Sequence, residues 1–174
     1  VMLAVLVILF AGHIDDRLGK NAQGVDFVIG AKGSPLQLVL SSVYHVDIPT
    51  GNMAYEVAER WMNHKQVRRA IPLALGDNYR GYRIVGTTTD YMTLYNASIT
   101  EGVIWDKPFE AVVGASTGLN TGDKFEGAHG FMVDDHSHDE SVYTVTGVME
   151  ATGTVLDRLI LTDVDSVLLI HGQE

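Results

Sequence analysis

The first ten residues, Val1 to Phe10, form an unbroken apolar run. A bilayer-spanning helix needs about 20 such residues, so this run is half of a membrane helix, a signal-peptide core, or a buried core helix or first strand. The chain opens on Val rather than Met, and no positively charged segment precedes the run. These features favour a fragment cut within a membrane helix, which continues through His13 to Leu18 as it leaves the lipid.

Charge and cysteine content exclude several classes of function. The net charge is −10, with 22 acidic and 12 basic residues among 174. No basic stripe exists that could neutralise phosphates, so nucleic acid is not a predicted partner. Cysteine is absent, which excludes disulfides, thiolate metal sites and a cysteine nucleophile. The length suits one domain, or one domain with a smaller lobe.

The segment from residue 25 to residue 53 carries the clearest local signals. Val25 to Gly30 is a short β-rich run, the chain breaks at Gly33-Ser34-Pro35, and a helix is predicted to start there. A Pro49-Thr50-Gly51-Asn52 turn follows, and Asn52 can cap a second helix. The apolar residues of that helix are predicted to form one stripe packed on a sheet; they are Ala54, Val57, Ala58, Trp61 and Met62.

Strands dominate the rest of the chain. Alternating apolar residues and Gly/Asn/Asp turns predict strands over 69–75, 82–88, 109–115, 124–126, 143–149 and 158–161. Short helices are predicted at 90–95 and after a capping box at Thr162 to Asp165. Helices and strands alternate early and strands predominate later, so the predicted fold class is α+β with mixed or antiparallel sheets.

Six segments give the chain a family resemblance. They are GAKGSPLQL (30–38), PTGN (49–52), GDNYRGYRIVGTT (76–88), EAVVGA (110–115), GLNTGD (118–123) and ATGTVLDRLILTDVDSV (151–167). With the apolar run before them, these segments resemble the MacB/FtsX/LolC type of ABC-transporter permease. In that family a first membrane helix leads directly into a large extracytoplasmic domain.

The resemblance implies a domain plan. Residues 1–22 would be the end of the first transmembrane helix and its extension, and residues 23–174 a MacB-like periplasmic core domain. The core would comprise a porter-like βαβ lobe, about 23–88 plus the C-terminal part, and a smaller β-rich sabre-like lobe at about 89–155. Such permeases usually continue after residue 172 with another strand–helix unit. The stop at residue 174 predicts that residues were removed or that the porter-like lobe is incomplete.

The resemblance also implies a function and a location. The chain would be a non-catalytic part of a permease in the bacterial inner membrane, exposed on the periplasmic side. The permease would dimerise, pair with a cytosolic ABC ATPase subunit, and pass ATP-driven motion to a periplasmic substrate or partner protein. No cofactor is expected in this domain. In agreement, the sequence has neither a GxxxxGK[ST] nor a GxGxxG phosphate loop, and it has no HExxH pair.

One histidine-rich segment offers an alternative. Residues 128–140 read AHGFMVDDHSHDE, in which His136 and His138 alternate and His129 lies a strand's length away. Neutral imidazoles beside carboxylates suit zinc, nickel or copper, so His129, His136 and His138 are candidate metal ligands. The other interpretation is a solvated acidic loop. A metal-binding domain or metal-dependent enzyme is therefore the alternative function, and a soluble interaction module with a core-buried N-terminus is a third.

Overall fold

The computed structural model describes residues 2–129 and 142–171. Within these residues the helices are α1 (Met2–Ala22), α2 (Pro35–Ser42), α3 (Tyr55–Met62), α4 (Thr89–Leu94) and α5 (Val164–His171), and a 3-10 helix spans Val155–Arg158. The strands are β1 (Ala74–Tyr79), β2 (Tyr82–Thr87), β3 (Ile99–Gly102), β4 (Glu110–Val113), β5 (Lys124–Glu126), β6 (Ala128–His129), β7 (Val142–Met149) and β8 (Leu159–Asp163).

The described strands form one mixed sheet. Its order is β3-β7-β4-β8-β2-β1-β6, and β5 pairs with β7 off this path. The β2–β8 and β4–β7 pairs are parallel, whereas the other pairs are antiparallel. The α+β class and the mixed sheet are therefore confirmed. The limits of the porter-like and β-rich lobes stay a prediction.

The core lies on both faces of this sheet. Because successive side chains of a strand point to opposite faces, neighbours such as Ile84 and Val85 enter different apolar clusters. One cluster combines Val85 with Tyr91, Tyr95 and Trp105. The other places Ile84 with residues that include Phe125 and Tyr143, whose rings stack with centroids 5.3 Å apart. The centre of the sheet is therefore buried on both faces, and packing on both faces holds its strands rigidly in place.

The N-terminal run belongs to a single helix that stands clear of this core. α1 runs from Met2 to Ala22 and has no buried residue. Its large apolar side chains are exposed, from 42% for Ile14 to 88% for Met2. The alternative in which this run forms part of the core is therefore wrong. In the described residues, no helix combines the length and apolar character needed to cross a bilayer.

Two predicted strands differ from the structure. Residues 25–30 form no strand, because β-branched residues favour a strand only where a neighbouring strand pairs with them. The strand predicted over 69–75 begins only at Ala74 and continues to Tyr79. The connection is therefore tight: Arg80 and Gly81 take left-handed φ values of 50° and 84°, as a two-residue hairpin requires. The other predicted strands and α4 overlap the observed elements.

The helix starts were predicted with mixed success. Ser34 caps α2 and its hydroxyl accepts the Gln37 amide at 3.4 Å, as expected. α3 exists, but Ala54 rather than Asn52 occupies its cap position. Its apolar stripe is also not core, since Trp61 is 45% exposed and no α3 residue is buried.

The last helix also starts differently from the prediction. The Asp163 carboxylate accepts the amide of Asp165 at 2.8 Å at the start of α5. Thr162, the predicted capping residue, is fully buried and donates its hydroxyl to the Glu110 carbonyl at 2.7 Å. Thr162 therefore ties β8 to β4 instead of capping α5.

Candidate functional site

The C-terminal end of α1 is fastened at two residues, Asn21 and Leu18, to the sheet body, meaning the sheet with the elements packed on it. The last four carbonyls of a helix lack partners within the helix. One of these carbonyls, that of Asn21, accepts the Tyr95 hydroxyl at 2.8 Å, and the Asn21 side-chain oxygen accepts the Val155 amide at 2.9 Å. One turn earlier, the Tyr44 hydroxyl donates to the Leu18 carbonyl at 3.4 Å. We call Leu18, Asn21, Tyr44, Tyr95 and Val155 the helix seat.

The turn that presents Val155 is held by a carboxylate. Asp157 accepts the amide and the hydroxyl of Thr152 at 2.7 and 2.8 Å, and the amide of Gly153 at 2.8 Å. A carboxylate that accepts several short hydrogen bonds fixes its loop more firmly than neutral groups would. The Val155 amide is therefore held in place to meet Asn21.

A chain of buried polar groups leads from the seat into the body. The rings of Tyr95 and Tyr91 meet edge to face with centroids 5.4 Å apart, and the Tyr91 hydroxyl lies 2.7 Å from Nε2 of His45. Burial raises the pKa of Tyr91 well above its ordinary value, and raises the pKa of Tyr95 as well. Both phenols thus stay protonated and able to donate.

His45 is the basic group of this chain of contacts, and its pKa is strongly lowered. Burial, together with the nearby positive charge of Arg83, lowers the pKa of His45 from 6.5 to about 3. Its Nδ1 atom is buried and has no hydrogen-bond partner within the described residues. His45 is therefore a hydrogen-bonded structural residue just after the end of α2.

Arg83 joins the same region to the sheet. Its guanidinium donates to the Ser41 carbonyl at 3.3 Å and to the Asp47 carbonyl at 2.7 Å. Burial lowers the pKa of Arg83, and the charge of Asp47 opposes that shift. The side chain is 9% exposed, so a buried cation on β2 holds the segment after α2 against the sheet.

The candidate metal ligands are only partly within the described residues. The backbone of His129 lies in β6, where it pairs with Asp77 of β1. His136 and His138 lie outside the described residues. Among residues 2–129 and 142–171, no three potential ligands gather in a way that could hold a metal ion. The metal site stays a prediction.

Sequence reasoning did not find the helix seat. Asn21 is one polar residue at the end of a helix, and Tyr95 follows a short helix 74 positions later. Thr154 and Asp157 carry no local signal beyond their place in a segment that resembles the permease family. No periodicity or motif links three such distant segments, so only the tertiary structure brings them together.

Comparison with known proteins supports the fold. No family model and no curated protein matches the chain. The extracellular domain of the noncanonic ABC-type transporter YknZ from Gram-positive bacteria matches with a TM-score of 0.50 and 10% identity, over 82% of this chain and 75% of that one. The periplasmic region of MacB from Actinobacillus actinomycetemcomitans matches with a TM-score of 0.49 and 11% identity, over 80% of this chain.

The chain spans 64% of the length of the MacB periplasmic region. At 10% identity the likeness to the YknZ extracellular domain concerns the fold alone, and the chain has the fold of that domain. The fold predicted from the family resemblance is confirmed.

Proposed function

We propose that this chain is the extracytoplasmic domain of an ABC transporter permease, in which α1 carries motion from the membrane to the sheet body. The permease would sit in the bacterial inner membrane as a dimer and be driven by a cytosolic ABC ATPase subunit. A periplasmic substrate or partner protein would receive the motion. The domain itself would perform no catalysis and bind no nucleic acid.

The exposed apolar half of α1 is the observation that carries this proposal. Leu6, Ile8 and Phe10 are 64%, 71% and 66% exposed, and every residue from Met2 to Phe10 is exposed. Each square ångström of apolar surface left in water costs roughly 25 cal/mol. A helix with apolar side chains on all its faces is stable where lipid surrounds it. Charged residues begin only at Asp15, which suits the point where the helix leaves the bilayer.

The helix seat would allow α1 to act as a lever, that is, to transmit its displacement to the sheet. An α-helix is stiff along its axis, and the attachment at Asn21 uses two bonds to two separate elements, the end of α4 and the turn before β8. The seat also adjoins the rigid centre of the sheet, because Tyr95 belongs to a core cluster with Val85 and Leu161. A displacement of α1 at the membrane would therefore move the sheet rather than bend a loose linker.

Depth-dependent fluorescence quenching in lipid nanodiscs would test the membrane position. Because the chain has no cysteine, one introduced cysteine carries the only label. We expect a fluorophore at Leu6→Cys to be quenched by lipids brominated on their acyl chains. A fluorophore at Glu101→Cys, on the exposed face of β3, is the matched control and should stay bright.

Two results would contradict the proposal. The Leu6 label could stay as bright as the Glu101 label in brominated nanodiscs, which would place α1 outside the lipid. Alternatively, both labels could be quenched equally, which would place the sheet body in the membrane as well.

The metal alternative gains no support from the described residues. His129, His136 and His138 stay predicted ligands of zinc or another divalent metal. Calorimetric zinc titration of the chain and of a His136→Ala/His138→Ala variant would test them, and equal heats in both would count against the site.

A further inference from the structure

Beside the helix seat lies a cavity whose lining is unusually basic for this chain. The cavity has a volume of about 430 Å³ and is lined by the end of α1, the segment after α2, the β1–β2 hairpin and the 3-10 helix. Three arginines from three different elements line it: Arg17, Arg83 and Arg158. Asp77 is the only acidic residue among the lining residues that the structure describes. Counting also the Asp47 carboxylate, whose charge acts on Arg83, three cations face two anions here, in a chain of net charge −10.

The three arginines have different roles in this cavity. Arg83 is buried and fixed by two backbone carbonyls, so it supplies a permanent positive charge at the cavity wall. Arg158 is exposed at the end of the 3-10 helix. Arg17 is exposed on α1, where its Nε donates to His13 at 3.2 Å. The two outer guanidinium groups can therefore turn towards a ligand at little cost.

The side chains that line the cavity indicate which class of ligand it can bind. A guanidinium presents a planar fork of N–H donors that matches phosphate and carboxylate oxygens. The space exceeds what a single phosphate fills, and apolar residues such as Val46, Pro49 and Leu159 line the remainder. A phosphate ester with a small organic group fits both parts of the lining.

We propose that this cavity binds a phosphate monoester or diester, held by Arg17, Arg83 and Arg158. Such a ligand would bridge α1 and the sheet body, since Arg17 lies on α1 and the other two arginines lie on β2 and the 3-10 helix. Its binding would reinforce the helix seat next to it. The same chemistry is available from a free phosphate ester and from the headgroup of an anionic phospholipid.

The test has two arms that distinguish these sources. In the first arm, calorimetry measures binding of inorganic phosphate and of glycerol 3-phosphate to the chain and to the variants Arg158→Gln and Arg17→Gln. In the second arm, sedimentation measures binding to phosphatidylglycerol vesicles and to phosphatidylcholine vesicles. The matched control is Arg68→Gln, which removes the same charge from an exposed residue that does not line the cavity.

The expected result is a loss of affinity specific to the cavity. Each cavity variant should weaken binding about tenfold, the size expected for losing one charge-assisted contact, while Arg68→Gln should leave it within about twofold. If the cavity variants lose affinity for the probes of the first arm, the ligand is a free phosphate ester. If they lose affinity only for phosphatidylglycerol vesicles, the ligand is a lipid headgroup. The proposal would be overturned if no probe bound, or if the control weakened binding as much as the cavity variants did.

Discussion

Because the imidazole of His45 is buried, we expect the free energy of unfolding to depend on pH in a specific way. Protonation of His45 would place a charge in a buried site beside Arg83, which is why its pKa falls from 6.5 to about 3 on folding. The unfolded chain therefore binds this proton more readily than the folded chain. The stability contributed by neutral His45 is complete above pH 6.5 and is lost as the pH falls towards 3.

The size of the effect follows from the two pKa values. Between pH 8 and pH 5, a shift from 6.5 to about 3 lowers the free energy of unfolding by about 2 kcal/mol through this residue alone. The variant His45→Asn removes the titration. It also suits the backbone, because His45 has a φ of 53° and asparagine tolerates that left-handed conformation well.

Urea unfolding at a series of pH values from 8 to 5, in a mild detergent that shields α1, would measure how the free energy of unfolding of the wild type and of His45→Asn changes with pH. His45→Asn should be less stable than the wild type at pH 8, and the gap should narrow by about 2 kcal/mol at pH 5. The variant Tyr91→Phe is the matched control: it removes the hydrogen-bond partner, costs about 1 kcal/mol, and should keep the wild-type slope. Parallel pH profiles for wild type and His45→Asn would refute this reasoning.

Four further substitutions test the seat, its supports and the packing around them. Asn21→Ala removes the hydrogen bond from the Val155 amide to the Asn21 side chain and should lower the free energy of unfolding in urea by about 1 kcal/mol; an unchanged value would show that this bond contributes nothing. Gly114→Ala should cost about 1–3 kcal/mol, because a Cβ atom there would overlap the backbone of Leu156 and Asp157. Gly12→Ala, where a Cβ meets nothing, should be neutral or stabilise α1 by up to about 1 kcal/mol, and equal losses in both glycine variants would refute the steric argument. Asp157→Asn weakens the acceptor of three bonds and should lower the melting temperature measured by circular dichroism by several degrees, whereas an unchanged melting temperature would contradict that role.

Much of the fold could be predicted from local signals. The apolar runs around Val112 and Ile160 are continuous because successive side chains enter the two core clusters in turn, and the strands predicted there exist. The Ser34-Pro35 helix start was also found, since a hydroxyl cap followed by proline is a strong local signal.

The errors arose where the surroundings of a segment decide its structure. The apolar stripe of α3 predicts a partner, but periodicity does not specify what covers it, and Trp61 is half exposed in the described structure. Residues 25–30 favour a strand by composition alone, and no described strand pairs with them. The helix seat depends on Asn21 and Val155, which are 134 positions apart, so no local pattern could reveal it.

The central claim is that α1 and the sheet body move as one lever through the helix seat. Pulsed electron–electron spin resonance between labels at Gly12→Cys and Glu101→Cys, with the chain in lipid nanodiscs, measures this coupling directly. The account predicts one narrow distance distribution that broadens when Asn21→Ala and Tyr95→Phe together remove both hydrogen bonds at Asn21. A distribution that is already broad without these substitutions, or one that they leave unchanged, would contradict it.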